Sequence, residues 1–543
     1  AKISVSVGRS NDLDHKEMRR VMQGAFVLTI ASFIAKVLSA LYRIPLQNLV
    51  GDEGFYVYQQ VYPIYGIAMT LALSGLPQFI SKYVAERKNP FERKQALQNL
   101  YPLVFWTGVF LWLFVFAFSS WIAWMMGDIQ LKPLIQVVSF TFLLMPGLSF
   151  YRGNFQGRFL MEPTAVSQVV EQFVRVFVIV CSAFAFRKLG WTVYQTGTAA
   201  MSGAVFGGLC AYGILHYYEQ KIHGGALSFR RFPLFKQPSK PLIRRFLVEG
   251  GLVSIYSGLL IFFQLIDSFF VKNALEVYGL SEYGAKIAKG VYDRGQPLVQ
   301  LGLVIATALS ATFLPALTRH LTNRIYRQFL QTAKIYLRLT TALALAASLG
   351  LALLLPYINY ALFKDYAGNA ALVLFVFSIA FTAVIQAYQS IAQSKNSFRP
   401  SLKGAGWGLL VKGLTTSFLT GLLGTAGASL STLLGLGVTL WYFVRIETKE
   451  LNAFWKERHF GRKLMFSLLC MTVVLLLYYG VLNIVFGPVT HRSTAFFVSV
   501  IGVGIGASVF IYAVIRLRLF TVREWLMLPF GKKILRLNKK IKK

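Results

Sequence analysis

Apolar and polar positions alternate along this chain on a long period. Apolar stretches recur from end to end, at 21–42, 61–83, 101–125, 133–151, 164–186, 193–217, 246–271, 296–318, 335–356, 370–392, 403–423, 425–444, 464–486 and 493–515. Each is about 20 residues long, the length of helix that crosses a hydrocarbon core of about 30 Å. The polar gaps between them do not share the positive charge evenly. Roughly 42 of the 56 Lys and Arg lie in the N-terminal tail, in alternate gaps from 82–96 onward, and in the C-terminal tail. About 10 fall in the remaining gaps, and Lys36, Arg175, Arg338 and Lys412 lie inside stretches. Because Lys and Arg are retained on the cytoplasmic side, the pattern predicts about 14 transmembrane helices with both termini cytoplasmic. A missed or supernumerary helix would invert the charge pattern beyond it, and no inversion occurs.

Composition agrees: a mean hydropathy of +0.55 with 55% hydrophobic residues describes an all-α integral membrane protein. A net charge of +35 on a soluble chain would suggest nucleic acid. Spread over membrane-flanking gaps it sets orientation and attracts anionic membrane lipids instead, so no nucleic-acid partner is expected. The densest run is Lys532, Lys533, Arg536, Lys539, Lys540, Lys542 and Lys543. Cys181, Cys210 and Cys470 stand singly in apolar stretches and read as small packing residues. No metal site is expected, since the His residues form no HExxH motif. Residues 1–20 are polar, and the stretch after them is too long for the apolar part of a cleavable leader.

The chain repeats itself. Tyr151, Gln156, Gly157, Arg158 and Pro163 follow the fourth stretch, and Tyr388, Gln393, Ser394, Lys395 and Pro400 follow the tenth, each pair offset by 237 residues. The same offset carries Arg175 onto Lys412, and an offset of 238 carries Leu76-Pro77 onto Leu314-Pro315. The first and seventh stretches both open on Arg-Arg, at 19–20 and 244–245. Helices 1–6 (21–217) and 7–12 (246–444) therefore read as two pseudo-symmetric six-helix lobes related by an axis along the membrane normal. Between them lies a basic cytoplasmic linker, 218–245. Two extra C-terminal helices (464–515) and a basic tail (516–543) follow, with an N-terminal tail at 1–20. The two Tyr–Pro elements are expected to form matching corners on the inner face, where Gln156, Arg158, Gln393 and Lys395 would line a rim. Pro77 and Pro315 mark bends at equivalent points.

Ionisable residues inside spans are costly and face a partner or a cavity. Lys36 lies deep in helix 1, and Arg43 at its outer end. Glu171 and Arg175, four apart on helix 5, are expected to form an intrahelical ion pair. Asp267 lies near the outer end of helix 7, Asp293 and Arg294 open helix 8, and Lys412 lies in helix 11. Cations outnumber acids among these, which suits an anionic cargo such as a phosphate or pyrophosphate.

Two six-helix halves with two further helices and the Gln-small-basic-x4-Pro element resemble the multidrug/oligosaccharidyl-lipid/polysaccharide (MOP) exporter superfamily. Within it the chain is most similar to the lipid II flippases and the stage V sporulation protein B group, over about residues 18–515. Ser32 to Ser39, with Lys36 at the basic position, looks like the family's Ser-Arg-Val-Leu-Gly element. Gly51-Asp52-Glu53-Gly54 and the aromatic Phe55 to Tyr58 also fit. Tyr292-Asp293-Arg294 looks like the family's Asp-Arg element, whose Arg contacts the lipid-linked head group. Two departures stand out: Tyr42-Arg43 replaces an Arg-Asp pair, and no basic residue follows Pro63 in helix 2.

The resemblance implies a transporter, not an enzyme, that moves an undecaprenyl-pyrophosphate-linked saccharide outward by alternating access. Lys36, Arg43 and Arg294 would hold the pyrophosphate in a cavity between the lobes, with Asp267 and Asp293 beside them. No cofactor is expected; coupling to the membrane potential, H+ or Na+ stays open, as does contact with the cell-envelope synthesis machinery. The alternatives are a cation-coupled multidrug antiporter of the same fold, which needs an acidic site in the first lobe, and a membrane glycosyltransferase, which needs an outer carboxylate cluster.

Overall fold

The computed structural model describes residues 27–526 except 29, 88, 224–231 and 487–488. The expected N-terminal tail, most of the C-terminal basic run and the middle of the linker lie outside the described residues. Among the described residues the chain is helical and contains no strand. Eleven helical runs are long and apolar enough to cross a membrane. The first, Ile30–Ala85, covers two predicted stretches, and Leu259–Val277 and Phe398–Leu423 occupy the seventh and eleventh. All fourteen stretches are thus helical wherever they are described.

Helix also fills gaps that look like loops in the sequence. The polar segment after helix 1 lies inside Arg43–Thr70, interrupted only at Gly51, whose φ of 75° and ψ of −176° are open to glycine at no steric cost. Ahead of the eighth stretch, Glu282–Asp293 runs on through Gly295–Gly302 into Val304–Thr322, with short breaks at Arg294 and Leu303. Asp293 and Arg294 are therefore buried within a helical run rather than set at its interfacial opening. Tyr42, with helical φ and ψ of −62° and −23°, precedes the second helix, and Arg43, expected at an outer helix end, is fully buried just beyond it.

The two Leu-Pro pairs take different local forms. Proline lacks an N–H and breaks the regular ladder. Around Pro77 the chain widens into a π-helical turn, Leu71–Gly75, in which the Leu76 N–H reaches back to the Leu71 carbonyl. Pro315 sits inside the helix Val304–Thr322 with no such turn.

The chain divides into two compact units, Ala1–Lys272 and Asn273–Lys543. In the first, one core gathers Leu46, Phe55, Val61, Ile64, Leu134, Ile135, Ile179 and Met201, and a second gathers Phe79, Ile80, Leu97, Leu100, Phe150 and Phe155. Glu162–Leu189 and Val193–His223 run so close that a Cβ on Gly207 would meet the Glu171 carbonyl oxygen at 2.6 Å. Part of the linker joins this unit: Phe232 is buried against Tyr101, and the Leu234 carbonyl accepts from Trp106 Nε1 at 2.9 Å.

In the second unit Phe398–Leu423 packs on Thr425–Ile446, so closely that a Cβ on Gly408 would collide with Thr439 Oγ1. The two extra helices, Phe460–Phe486 and Arg492–Arg516, pack on Tyr326–Phe363. Arg492 donates to the Ala361 and Leu362 carbonyls at 2.6 and 3.0 Å, satisfying acceptors that a helix C-terminus leaves open. Phe110, Phe173, Phe177, Leu414, Phe418 and Leu477 are exposed, as lipid-facing side chains are in water. Cys181 and Cys210 share such surfaces and are exposed, so they are not packing residues.

Candidate functional site

Helical spacing puts Gln168, Glu171, Gln172 and Arg175 on one face of Glu162–Leu189, and all four are buried. Their partners lie on three neighbouring elements. Gln168 Oε1 accepts from Ser32 Oγ at 3.0 Å, Gln172 Nε2 donates to the Tyr65 hydroxyl at 3.3 Å, and Arg175 Nη2 donates to Ser39 Oγ at 3.1 Å. Glu171 Oε2 accepts from Arg152 Nη2 at 2.6 Å. The expected Glu171–Arg175 pair does not form: Arg152 reaches the carboxylate from an adjacent helix, while Ser39 and two tyrosine rings hold Arg175 on the side of helices 1 and 2.

Arg152 has every guanidinium nitrogen engaged. Besides Glu171, its Nε donates to Ser167 Oγ at 3.2 Å and its Nη1 to the Ala72 carbonyl at 3.3 Å. The last contact follows from Pro77. In the i to i+5 register of the π turn the Ala72 carbonyl would accept from residue 77, which has no N–H, and Arg152 supplies the donor instead.

Four tyrosines cluster on and beside the helix that Gln172 contacts. Tyr58, Tyr62 and Tyr65 succeed one another on Arg43–Thr70 with ring centroids 6.3 and 5.7 Å apart, and Tyr42 completes the set by an edge contact and a 3.0 Å hydroxyl bond to Tyr58. Two guanidinium groups enter this aromatic cage. Arg43 lies 4.4 Å from the Tyr62 centroid and 5.9 Å from that of Tyr42; Arg175 lies 4.6 Å from Tyr65 and 5.1 Å from Tyr42. A desolvated cation over a ring gains about 2 kcal/mol, whereas burying an ion costs several kcal/mol. The rings therefore offset only part of the cost. Lys36, by contrast, is exposed.

In the second unit Arg294 and Asp293 each meet an opposite charge. Arg294 makes a two-pronged bond to Asp365, at 2.6 and 2.9 Å, and its guanidinium lies 5.0 Å from the Phe363 centroid. Burial pushes the Asp365 carboxyl up, but the Arg294 hydrogen bond and the Ala367 N–H outweigh it and hold that carboxyl below its ordinary range. Asp293 is bound by Lys289 at 2.6 and 2.7 Å. Lys412 inserts among neutral oxygens of the next helix, donating to Thr432 Oγ1 at 2.7 Å, Ser431 Oγ at 3.1 Å and the Ala428 carbonyl at 3.5 Å. In the first unit, Asp267 is buried on Leu259–Val277. Among the described residues no three His, Cys, Asp or Glu side chains gather where they could hold a metal ion.

The profile of the polysaccharide biosynthesis protein family matches residues 21–321. The chain belongs to this family. It is 36% identical to the uncharacterised membrane protein YabM of Bacillus subtilis (strain 168), over 95% of this chain and 96% of that one. It is 25% identical to the lipid II flippase MurJ of the same organism, over 92% and 95%. Among solved structures, the inward closed conformation of lipid II flippase MurJ superposes with a TM-score of 0.65 at 12% identity, covering 91% of this chain and 99% of that one. An inward-facing multidrug resistance MATE family transporter of the MOP superfamily superposes with a TM-score of 0.58 at 17% identity, covering 80% and 99%. The fold and the relatives place this polysaccharide biosynthesis family member in the MOP exporter superfamily.

The repeat of this family member extends to single hydrogen bonds. At the first corner the Phe159 and Leu160 N–H groups bond the Gln156 and Phe155 carbonyls; at the second, Asn396 and Ser397 bond Gln393 and Ala392, each 237 residues on. Phe159 and Asn396 both adopt positive φ, 59° and 53°. The buried corner tyrosines are each held by a polar group, Tyr151 by His216 Nδ1 at 2.9 Å and Tyr388 by Asn452 Oδ1 at 2.7 Å. Lys395 pairs with Glu447 at 2.8 Å. Sequence reasoning missed Arg152, Asp365 and the tyrosine cage. Arg152 lies just past an apolar stretch and reads as an interfacial cation, and nothing local marks Asp365 as the partner of a residue 71 positions away.

Proposed function

We propose that this protein carries an undecaprenyl-pyrophosphate-linked saccharide, lipid II or a related cell-envelope polysaccharide precursor, from the inner to the outer leaflet of the bacterial cytoplasmic membrane by alternating access. Both termini are cytoplasmic, and the halves 21–217 and 246–444 act as the two moving lobes, joined by the linker 218–245. No bond in the cargo is made or broken, so the protein is a transporter rather than an enzyme. Lys36, Arg43 and Arg294 meet the pyrophosphate during the cycle, with Asp267 and Asp293 adjusting the local charge. Pro77, Pro315 and the corners at Gln156–Arg158 and Gln393–Lys395 accommodate the motion.

One observation carries this reading. Glu171 is engaged by Arg152, while Arg43 and Arg175 are buried beside tyrosine rings. An interior with surplus guanidinium favours an anion, and a carboxylate locked by an arginine is a poor site for a cationic drug or a coupling cation. The test is direct. The purified protein is reconstituted in liposomes with a fluorescent prenyl-pyrophosphate disaccharide, and a membrane-impermeant quencher reports which leaflet holds it. Protein-dependent equilibration of the pyrophosphate lipid, together with rescue of a flippase-depleted strain, is the expected result. Failure of both, alongside export of a cationic dye, supports the antiporter instead.

A further inference from the structure

We propose that Asp365 is an internal stand-in for the phosphate of the cargo. It occupies the Arg294 guanidinium in this state, gives way to a phosphate or pyrophosphate ester, and displaces that ester when it returns. The inference rests on the flippase reading above. It makes Asp365, which that reading leaves without a role, the positioning residue that sets how tightly Arg294 holds a head group.

Two neighbouring ion pairs of the second unit provide the comparison. Asp293 is bound by Lys289 from one turn back on the same helix, and both side chains are buried. Partners so placed travel together. Asp365 reaches Arg294 from 71 residues further along the chain, and its side chain is 42% exposed where that of Arg294 is fully buried. A half-exposed carboxylate thus caps a guanidinium that has no solvent contact of its own.

Residues 364–368 join Tyr326–Phe363 to Asn369–Val376, and both ends of this turn, Lys364 and Gly368, hold φ in the left-handed region, at 72° and 69°. Inside it the Asp365 carboxylate accepts from the Ala367 N–H at 2.9 Å. Neutral hydrogen bonds tie the turn to its surroundings, from the Tyr366 hydroxyl to the Val489 carbonyl at 3.0 Å and from Asn359 Nδ2 to the Ala367 carbonyl at 2.9 Å. A rotation of the turn carries Asp365 away and leaves the flanking helices in place. Arg294 keeps support when that happens. Asn359 Oδ1 lies 3.5 Å from its Nη1, Asn359 is also held by Asn369 Oδ1 at 2.8 Å, and the Phe363 ring lies 5.0 Å from the guanidinium.

Carboxylate and phosphate engage a guanidinium in the same way, by two parallel N–H···O bonds. Asp365 makes both, at 2.6 and 2.9 Å, so it and a phosphate on that edge exclude one another. Held below its ordinary range, the carboxyl is an anion at neutral pH and competes as one. A pyrophosphate brings more charge and more oxygens and wins while it is present. The tethered carboxylate wins once the cargo is free to diffuse away. On the topology proposed above the turn faces outward, so its return favours release into the outer leaflet.

The test uses the full chain in lipid nanodiscs, titrated in a calorimeter with farnesyl pyrophosphate and, separately, with inorganic pyrophosphate. Asp365→Asn keeps the shape and removes the competing charge. It is expected to tighten farnesyl pyrophosphate binding by about fivefold or more, as when a minor binding-competent state becomes the major one. It is also expected to slow protein-dependent equilibration in the leaflet assay. An acid with a purely structural role would lose affinity on the same change. Elution as a monodisperse peak verifies folding, and should Asp365→Asn fail that check, Asp365→Ser is expected to show the same gain. In an Arg294→Gln background neither change is expected to alter affinity. Affinity equal to or below wild type in a folded Asp365 variant overturns the stand-in and leaves the flippase reading to the leaflet assay, as does a gain that survives Arg294→Gln. Tighter binding with equilibration at the wild-type rate overturns the displacement step. A gain for inorganic pyrophosphate alone supports the stand-in and rejects the lipid cargo. Wild type and Asp365 variants that bind neither probe overturn the stand-in.

Discussion

Arg152 and Glu171 form a buried ion pair, Nη2 to Oε2 2.6 Å, between helices that the chain joins by a tight corner. Its position in the repeat is instructive. The residues 237 further on are Gln389 and Gly408, so the second half has no such pair. Arg175 and its counterpart Lys412 have also diverged, one held among tyrosine rings and the other among hydroxyl and carbonyl oxygens. Two halves with matching backbone turns thus carry different interior chemistry.

Breaking this pair should unfold the protein before it affects transport. Removing one partner of a buried ion pair costs about 3–5 kcal/mol, since the other charge stays uncompensated. Arg152→Gln is expected to lower the melting temperature in detergent and the membrane level sharply, and Arg152→Met with Glu171→Leu to recover much of the loss. Arg175→Gln leaves the pair in place and should melt closer to wild type. A larger loss from Arg175→Gln than from Arg152→Gln contradicts the assignment.

Lys36 and Arg294 should separate function from folding. Lys36 is exposed, and the Asp365 side chain that Arg294 leaves behind is 42% exposed and able to hydrate. Lys36→Ala and Arg294→Ala are expected to reach near-normal membrane levels by immunoblot and to abolish rescue of a flippase-depleted strain. Full rescue by the double variant rules out a pyrophosphate contact at either residue.

The corner turn offers a stability test independent of function. Phe159 holds φ at 59° with an exposed ring, a conformation that costs an L-residue about 1–2 kcal/mol and glycine almost nothing. Phe159→Gly should raise stability by up to about 1 kcal/mol, while Asn396→Phe at the equivalent turn should lower it by a similar amount. Thermal melts of both variants against wild type decide the matter; a destabilised Phe159→Gly would mean that the ring contributes more than the strain.

At the end of helix 2, Arg245 binds Glu86 in two prongs, at 2.8 and 2.5 Å, and also Glu249 at 3.0 Å. The Arg245 hydrogen bonds hold the Glu86 carboxyl below its ordinary range. A carboxyl lowered on folding contributes stability above its unfolded pKa, about 4.3, and loses it as pH falls through the folded value. The melting difference between wild type and Glu86→Gln should stay constant from about pH 8 to about pH 5.5 and shrink below about pH 4. A difference that grows on acidification has the wrong sign for this pair.

Topology is testable in cells. In a background lacking the native cysteines, cysteines at Gln130 and Ala370 should react with an impermeant maleimide from outside, and one at Ser239 should not. All three positions are exposed. Labelling of Ser239→Cys in intact cells would reverse the orientation.

By itself the sequence determined what depends on solvent and on short range. Twenty apolar residues have one stable place, a bilayer, so the all-helical membrane class is written locally, and the charge of the gaps sets the expected sidedness. The repeat was legible for the same reason: Gln156 and Gln393 belong to turns closed by hydrogen bonds among near neighbours. Tertiary structure decided which charges meet. Glu171 has Arg175 one turn away and Arg152 nineteen residues back, and local geometry favours the former. The outcome depended on Pro77, which opens a π turn, orphans the Ala72 carbonyl and gives Arg152 a reason to be buried there. In the same way Asp365 claimed Arg294 across 71 residues. Inside a membrane protein a charge is settled by whichever partner the packing brings within about 3 Å, and that distance is a property of several helices at once.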